Sequence, residues 1–427
     1  GMFVDLVGSG AIISWGSVAV TAAGGEYRLC WCASMGHCST TETYRVDLGQ
    51  LTLIGVSPLF QDRTCVSGQT CMLDGIIGQH LASSDRTLIL DTCAENSIPP
   101  RFTEAGTIVV GSASGALVSW GTVQVTAKGG LYRLCWCAGL GEPRSLATSS
   151  NASEVIDAQT NVLNQMNSSI IPVRCSVPEN FRVDFGGLTL IGTSPLEQDR
   201  TCVSGQTCLL DGILGQDLSE KDSILVVDTC GYDSAVPRYT HTGLMTLLPG
   251  SGASVSWGSN EVTAQGGQYR LCWCAGLHYS CSEVERFRVD LGQLTLIGVR
   301  PLTQDRTCVS GLTCLIDGIT GQDLSASDRF IVLDTCSVAT VLPRFTDVGL
   351  VKSLGGTGAV VHWGQTAVTA AGGQYRLCWC AGRNLLQSNT TSWPCDVVGD
   401  FRVDAGQMTL VWLKKRNRSP KLHIFQT

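Results

Sequence analysis

Apolar residues recur along this chain in short alternating runs of four to eight, bounded by Gly, Pro, Ser and Asp, and no stretch keeps a 3.6-residue period. Between residues 48 and 185 the pattern predicts strands at 51–56, 70–76, 87–92, 106–110, 116–120 and 132–138, with a last strand at 181–184. Seven strands in about a hundred residues, with turn residues between them, predict a two-sheet β-sandwich. The strand at 132–138 carries the string Tyr-Arg-Leu-Cys-Trp-Cys, which also stands at 27–32, 269–274 and 375–380. A Gly-Gly pair precedes each copy, so the tyrosine opens a late strand after a turn, as a tyrosine corner does. Alternation puts Tyr27, Leu29 and Trp31 on one face, assigned to the core, and Arg28, Cys30 and Cys32 on the other.

Four identical strings mark a tandem array. Successive Cys-Trp-Cys copies are 105, 137 and 106 residues apart, longer than solenoid or propeller periods and the size of a self-sufficient domain. Each unit is therefore expected to bury its own core. A block running from Tyr44, with Asp-Leu-Gly-Gln, Leu-Thr-Leu-Ile-Gly, Gln-Asp-Arg-Thr-Cys and Asp-Thr-Cys, recurs from Phe181 and Phe287, and Phe401 opens a shortened copy. The expected organisation is an all-β array of tandem immunoglobulin- or fibronectin-III-like β-sandwich modules. It comprises a partial module at 1–47, modules at 48–185, 186–290 and 291–404, and a truncated start with a divergent tail at 405–427. Residues 1–16 align with 106–121, so the chain is expected to begin inside a repeat and to belong to something larger.

Of 427 residues, 44% are hydrophobic and 15% charged, a core-forming composition. The net charge of −7 is spread along the chain, which argues against a nucleic-acid partner. Lys414, Lys415, Arg416 and Arg418 form the one basic cluster, read as a solvated tail. No apolar run reaches membrane-spanning length, so a membrane is expected only through regions outside this chain.

Twenty-one cysteines indicate disulfides or a metal framework. Taking each module from its Leu-Thr-Leu-Ile-Gly segment to the next Phe-Arg-Val-Asp, the cysteines sort into sixes. These are Cys65, Cys71, Cys93, Cys135, Cys137 and Cys175; Cys202, Cys208, Cys230, Cys272, Cys274 and Cys281; and Cys308, Cys314, Cys336, Cys378, Cys380 and Cys395. Cys30, Cys32 and Cys38 are left for the partial module. Six cysteines allow 15 connectivities. A local bridge Cys65–Cys71, worth about 2–3 kcal/mol by loop closure, would leave Cys93, Cys135, Cys137 and Cys175 to form two bridges along one sheet. Zinc is disfavoured, because Cys-x-Cys is not a knuckle and the six histidines share no repeat position.

Between the second cysteine of Cys-Trp-Cys and the next cysteine, 5, 37, 6 and 14 residues intervene in the four copies. A fixed framework with one variable connection makes this loop the leading binding surface. Its longest version, 138–174, holds the glycosylation acceptors Asn151 and Asn167, and the third module's loop holds Asn389. Acids repeat at Asp62, Asp74, Asp85 and Asp91, a possible calcium set, though such residues also serve turns. Arg133 and Arg182 are expected on exposed strand faces with Asp184. No cofactor is otherwise implied, and no nucleophile elbow, zinc-protease helix or phosphate loop is present, so an enzyme is not expected.

The Tyr-Arg-Leu-Cys-Trp-Cys, Asp-Arg-Thr-Cys-Val-Ser-Gly-Gln-Thr-Cys and Phe-Arg-Val-Asp blocks, over roughly residues 1–410, resemble the large cysteine-rich repeat proteins of alveolate protists. These include the cysteine-repeat modular proteins of apicomplexans and dinoflagellate relatives. That resemblance implies a surface or secretory-pathway location, adhesion or attachment, and no catalytic residue. The resulting expectation is a non-enzymatic extracellular structural or adhesive array whose loops meet surface proteins or glycans. A carbohydrate- or calcium-binding array is the alternative, and an accessory region of a secreted enzyme the third reading.

Overall fold

The computed structural model describes all residues except 1–4, 8–11, 34–37, 103–105, 107–109, 112–116, 140–174, 248–253, 340–341, 352–353, 356–358, 383–394 and 413–427. It divides into two compact units, 1–191 and 192–427. The described residues form β-strands and one-turn 3-10 segments, without an α-helix.

In the second unit the third repeat shows the architecture whole. One sheet runs in the order Arg306–Val309, Val403–Val411, Gly373–Cys380, Arg329–Leu333 and Leu350–Val351; the other joins Leu315–Ile316, Val360–His362 and Leu354–Gly355. The first strand lies parallel to the last, with Arg306 opposite Met408 and Val309 opposite Val411, while the other pairings are antiparallel. This is an immunoglobulin-like sandwich. The second repeat repeats the layout with Arg200–Val203, Val289–Val299, Gly267–Cys274 and Ser223–Val227. In the first unit, Arg63–Val66, Val183–Thr193, Gly130–Cys137 and Arg86–Leu90 occupy the same places.

The Cys-Trp-Cys strand divides its faces as alternation requires. Tyr132, Leu134 and Trp136 join Ile89, Trp120, Val125, Phe185 and Leu188 in the main core. Cys135 and Cys137 sit on the opposite face in a second, smaller apolar cluster with Leu88, Leu90 and Phe181. The cysteine face is thus itself buried, beneath the segments it staples. In the strand pair Gly25–Trp31 and Val46–Leu53, by contrast, Tyr27, Trp31, Val46 and Leu48 are exposed.

Two expectations change. The Phe-Arg-Val-Asp and Leu-Thr-Leu-Ile-Gly segments are not separate strands. In the second unit they form one eleven-residue strand, Val289–Val299, which closes the second repeat against Arg200–Val203 and Gly267–Cys274. Its last residues, Gly298 and Val299, open the third repeat by pairing with Gly321–Gln322. The boundary read at 290/291 falls inside this strand. Nor does the third repeat bury its core alone: Val203 and Ile297 lie in the same cluster as Phe330, Val361, Trp363, Leu377 and Trp379. Arg402 adds a polar tie to the second repeat, with Nε 3.4 Å from Glu261 Oε1 and Nη1 donating to the Gly205 carbonyl at 3.2 Å.

Candidate functional site

The candidate site is the connection between the Cys-Trp-Cys strand and the last strand. Its base is built the same way in every complete repeat. A disulfide closes it, Cys137–Cys175, Cys274–Cys281 or Cys380–Cys395, with Cα–Cα distances of 5.8, 5.9 and 6.0 Å. The residues enclosed differ widely, since the sequence separations are 38, 7 and 15. Cys32–Cys38 closes the corresponding loop of the partial module at 5.9 Å. The framework therefore presents two ends at constant spacing, whatever the length between them.

A carboxylate, half-buried at Asp85 and buried at Asp222 and Asp328, fixes the same base from the side. Asp85 Oδ1 accepts the Gly139 amide at 3.1 Å and Oδ2 the Ala82 amide at 2.9 Å. Asp222 does this for Gly276 and Ser219, and Asp328 for Gly382 and Ser325. The glycine is obligatory, because a Cβ at Gly276 would stand 1.6 Å from the Lys221 carbonyl oxygen and one at Gly382 2.1 Å from that of Ser327. Burial pushes the Asp222 carboxyl above its ordinary range against the opposing pull of these amides.

The second repeat's loop is described throughout. His278 N and Tyr279 N both donate to the Ala275 carbonyl, at 3.2 and 3.0 Å, and the turn presents Leu277, His278 and Tyr279 to solvent. Residues 140–174 and 383–394, with Asn151, Asn167 and Asn389, lie outside the described residues.

The other cysteines are placed as follows. Cys65 is bonded to Cys71, Cys202 to Cys208 and Cys308 to Cys314. Cys93 is bonded to Cys135, Cys230 to Cys272 and Cys336 to Cys378, each across 42 residues. Cys30 is a free, exposed thiol.

The four repeated acids do not converge. Asp62 Oδ1 accepts the Gly187 amide at 2.6 Å. Asp211, the counterpart of Asp74, accepts the Gly212 amide and the Ser254 hydroxyl in a turn. Asp85 holds the loop base, and Asp91 lies near enough to Tyr132 to help raise its pKa. Among the described residues no three of His, Cys, Asp or Glu are gathered where a metal ion could be held. Arg133 grips Asp184 with two hydrogen bonds of 2.7 and 2.8 Å, and Arg270 does the same with Asp290.

Sequence reasoning passed over three repeated groups. Gln61 donates through Nε2 to the Pro58 and Ile77 carbonyls while its Oε1 accepts the Ile77 amide. Ser67 donates to the buried Ala127 carbonyl at 2.7 Å. Trp120, Trp257 and Trp363 donate through Nε1 to Gly106, Gly243 and Gly349, each at 2.8 Å. The recurrence of Gln-Asp-Arg, Val-Ser-Gly and Trp-Gly was the available signal.

No protein-family model and no curated protein matches the chain. Among solved structures it is similar to the SGBP-B protein of the Bacteroides ovatus mixed-linkage glucan utilisation locus, in complex with a mixed-linkage heptasaccharide. That match has 9% identity and a TM-score of 0.20, covering 84% of this chain and 70% of that one. It is also similar to immunoglobulin domains 1–4 of Sidekick-1, with 11% identity, a TM-score of 0.15 and coverage of 91% and 83%. A third match is a SusE-like surface-located polysaccharide-binding protein from the Bacteroides thetaiotaomicron heparin utilisation locus, with 8% identity, a TM-score of 0.18 and coverage of 82% and 59%. At these identities and scores the likeness assigns no function to this chain.

Proposed function

We propose that this chain is a non-enzymatic, extracellular structural or adhesive array that presents variable loops to surface proteins or glycans. The observation that carries the reading is the loop base: a disulfide and a carboxylate hold the two ends of one connection at constant spacing while 6, 14 or 37 residues pass between them. A scaffold that tolerates such length changes at one place, and nowhere else, separates folding from recognition. Ten disulfides in 427 residues favour an oxidising compartment. Among the described residues no helix is long and apolar enough to cross a membrane.

The test is a loop exchange. Residues 139–174 are replaced by Gly276–Ser280 of the second repeat, and secreted wild-type and exchanged chains are compared on a glycan array and on cell-surface protein extracts. Equal melting temperatures with binding lost in the exchanged chain are expected. Binding that survives the exchange undiminished would sink the loop reading.

A further inference from the structure

One set of hydrogen bonds present in all three complete repeats lies away from the loops, between the first and last strands. In the third repeat Arg306–Val309 runs parallel to Val403–Val411, with four residue pairs in register. Three further bonds lengthen this ladder. Gln304 N donates to the Ala405 carbonyl at 2.8 Å, Gln407 N to Asp305 Oδ1 at 2.7 Å, and Ser310 N to the Val411 carbonyl at 3.0 Å. The second repeat has all three, from Gln198, Gln293 and Ser204 to Leu291, Asp199 and Ile297. So does the first, from Gln61, Gly187 and Ser67 to Phe185, Asp62 and Ile191. The Gln-Asp-Arg motif is the device. Gln304 ties the approach of the first strand to Pro301 and Thr320, Asp305 adds a rung, and Arg306 donates to the Asp317 and Gly318 carbonyls.

The chain reaches the third repeat along Val289–Val299 and leaves it along Val403–Val411. Tension on the chain therefore pulls the first strand toward its N-terminal end and the last toward its C-terminal end. Because these two strands are parallel neighbours, such a pull slides one along the other. The rungs are then loaded together, whereas pulling an antiparallel hairpin from its open end breaks them one at a time. Met408 and Leu410 are buried on the core face of this ladder, while Asp305 and Thr307 are exposed on its outer side. No linker interrupts the path from the second repeat to the third, since one strand serves both.

We propose that the array bears tension: each repeat is a shear-loaded clamp in series, and its disulfides limit how far the chain runs out if a clamp yields. Between Cys202 and its strand partner, Leu296, more than half of the residues lie inside disulfide loops whose sequence separations are 6, 42 and 7. A yielding repeat gives up a short length and is then held covalently. This inference does not depend on what the loops bind.

The test is single-molecule stretching of the full oxidised chain in two geometries. In the first, handles sit at the two termini. In the second, one handle is moved to the exposed Leu312 and the other to Trp412, so that adjacent ends of the parallel pair are pulled apart. Terminal pulling is expected to unfold the third repeat at a force roughly twofold or more above that of the second geometry, because rungs fail together in one case and singly in the other. Its extension step is expected to lengthen about twofold when the disulfides are reduced, in proportion to the residues released. Equal forces in the two geometries would overturn the clamp, and equal steps with and without reductant would overturn the covalent limit. The second geometry requires attachment residues substituted at the exposed Leu312 and Trp412, and terminal pulling of that same substituted chain checks that its third repeat still folds. The comparison with and without reductant uses the unsubstituted sequence, and a chain that binds no partner could still pass.

Discussion

At the scale of single residues, the Cys-Trp-Cys strand shows how much chemistry one string of six can fix. Tyr132 donates its hydroxyl to the Lys128 carbonyl at 2.8 Å, and Tyr269 and Tyr375 make the same bond to Gln265 and Ala371. Burial, aided by the Asp91 charge, pushes the Tyr132 phenol from 10.0 up to about 12. Its folded-state pKa lies above the unfolded one, so its contribution to stability is complete below pH ~10 and is lost as pH rises through about 12. An alkaline titration followed by tyrosinate absorbance is expected to show Tyr132 ionising only as the first repeat unfolds; smooth ionisation near pH 10 before any loss of structure would refute this. Tyr132→Phe is expected to cost ~1 kcal/mol, the value of one such hydrogen bond, in chemical denaturation. A different lever sits at Val348, a β-branched residue held at φ +59° and half exposed. That left-handed backbone costs a non-glycine residue on the order of 1 kcal/mol. Val348→Asn is therefore expected to stabilise the third repeat by ~1 kcal/mol, and an unchanged or lower melting temperature would count against the assigned strain. The tyrosine bond and the face of each residue in the string were legible in the complete repeats, because alternation and a preceding Gly-Gly turn suffice; in the partial module Tyr27 and Trp31, assigned to a core, are exposed. The strained turn was not, since nothing in Thr-Asp-Val-Gly announces a positive φ before its glycine.

Among elements, the strands and the disulfides carry the design together. Cys93–Cys135 closes 42 residues, which the chain-entropy model values at about 4 kcal/mol, against about 2 for the six-residue Cys65–Cys71 loop. Replacing Cys93 and Cys135 by serine is expected to destabilise the first repeat by more than the corresponding change at Cys65 and Cys71, as read from denaturant midpoints; the reverse order would show that strain, not loop length, dominates. Cysteine positions made the local bridge legible and narrowed the rest to one sheet, but spacing cannot reveal which strands are neighbours. The long strand Val289–Val299 was misread for a specific reason. Gly292 looks like a turn residue between two short strands, whereas here it is a bulge at φ +148°, where a Cβ would stand 2.7–2.8 Å from the Gln198 backbone. The strand bends without ending, and the repeat boundary disappears into it. Likewise Asp85, read as one of four possible calcium ligands, is a backbone acceptor that fixes a loop. Sequence repetition reveals that an acid matters without saying whether its partner is a metal or an amide.

For the molecule as a whole, repetition was the most legible feature, and the coupling between repeats the least. The expectation that each hundred-residue unit buries its own core rests on size alone. Val203 and Ile297 carry side chains from the neighbouring repeat into the third repeat's core, and Arg402 reaches back to Glu261. Val203→Ala is thus expected to weaken the third repeat as well as the second, by roughly 2 kcal/mol for a large-to-small change at a shared core position. The readout is amide exchange from the Gly373–Cys380 strand, and unchanged protection there would show the repeats to be energetically separate.

Three complete repeats are each closed by the same three bridges, the last of which closes a loop of free length. Proteolysis of the unreduced protein, with free thiols alkylated first and linked peptides sequenced, addresses this directly. Cys137–Cys175, Cys274–Cys281 and Cys380–Cys395 are expected as linked pairs beside the 42-residue and six-residue bridges, with alkylation at Cys30 alone. Alkylated cysteines within the complete repeats, or any of these loop-closing cysteines linked elsewhere, would contradict it.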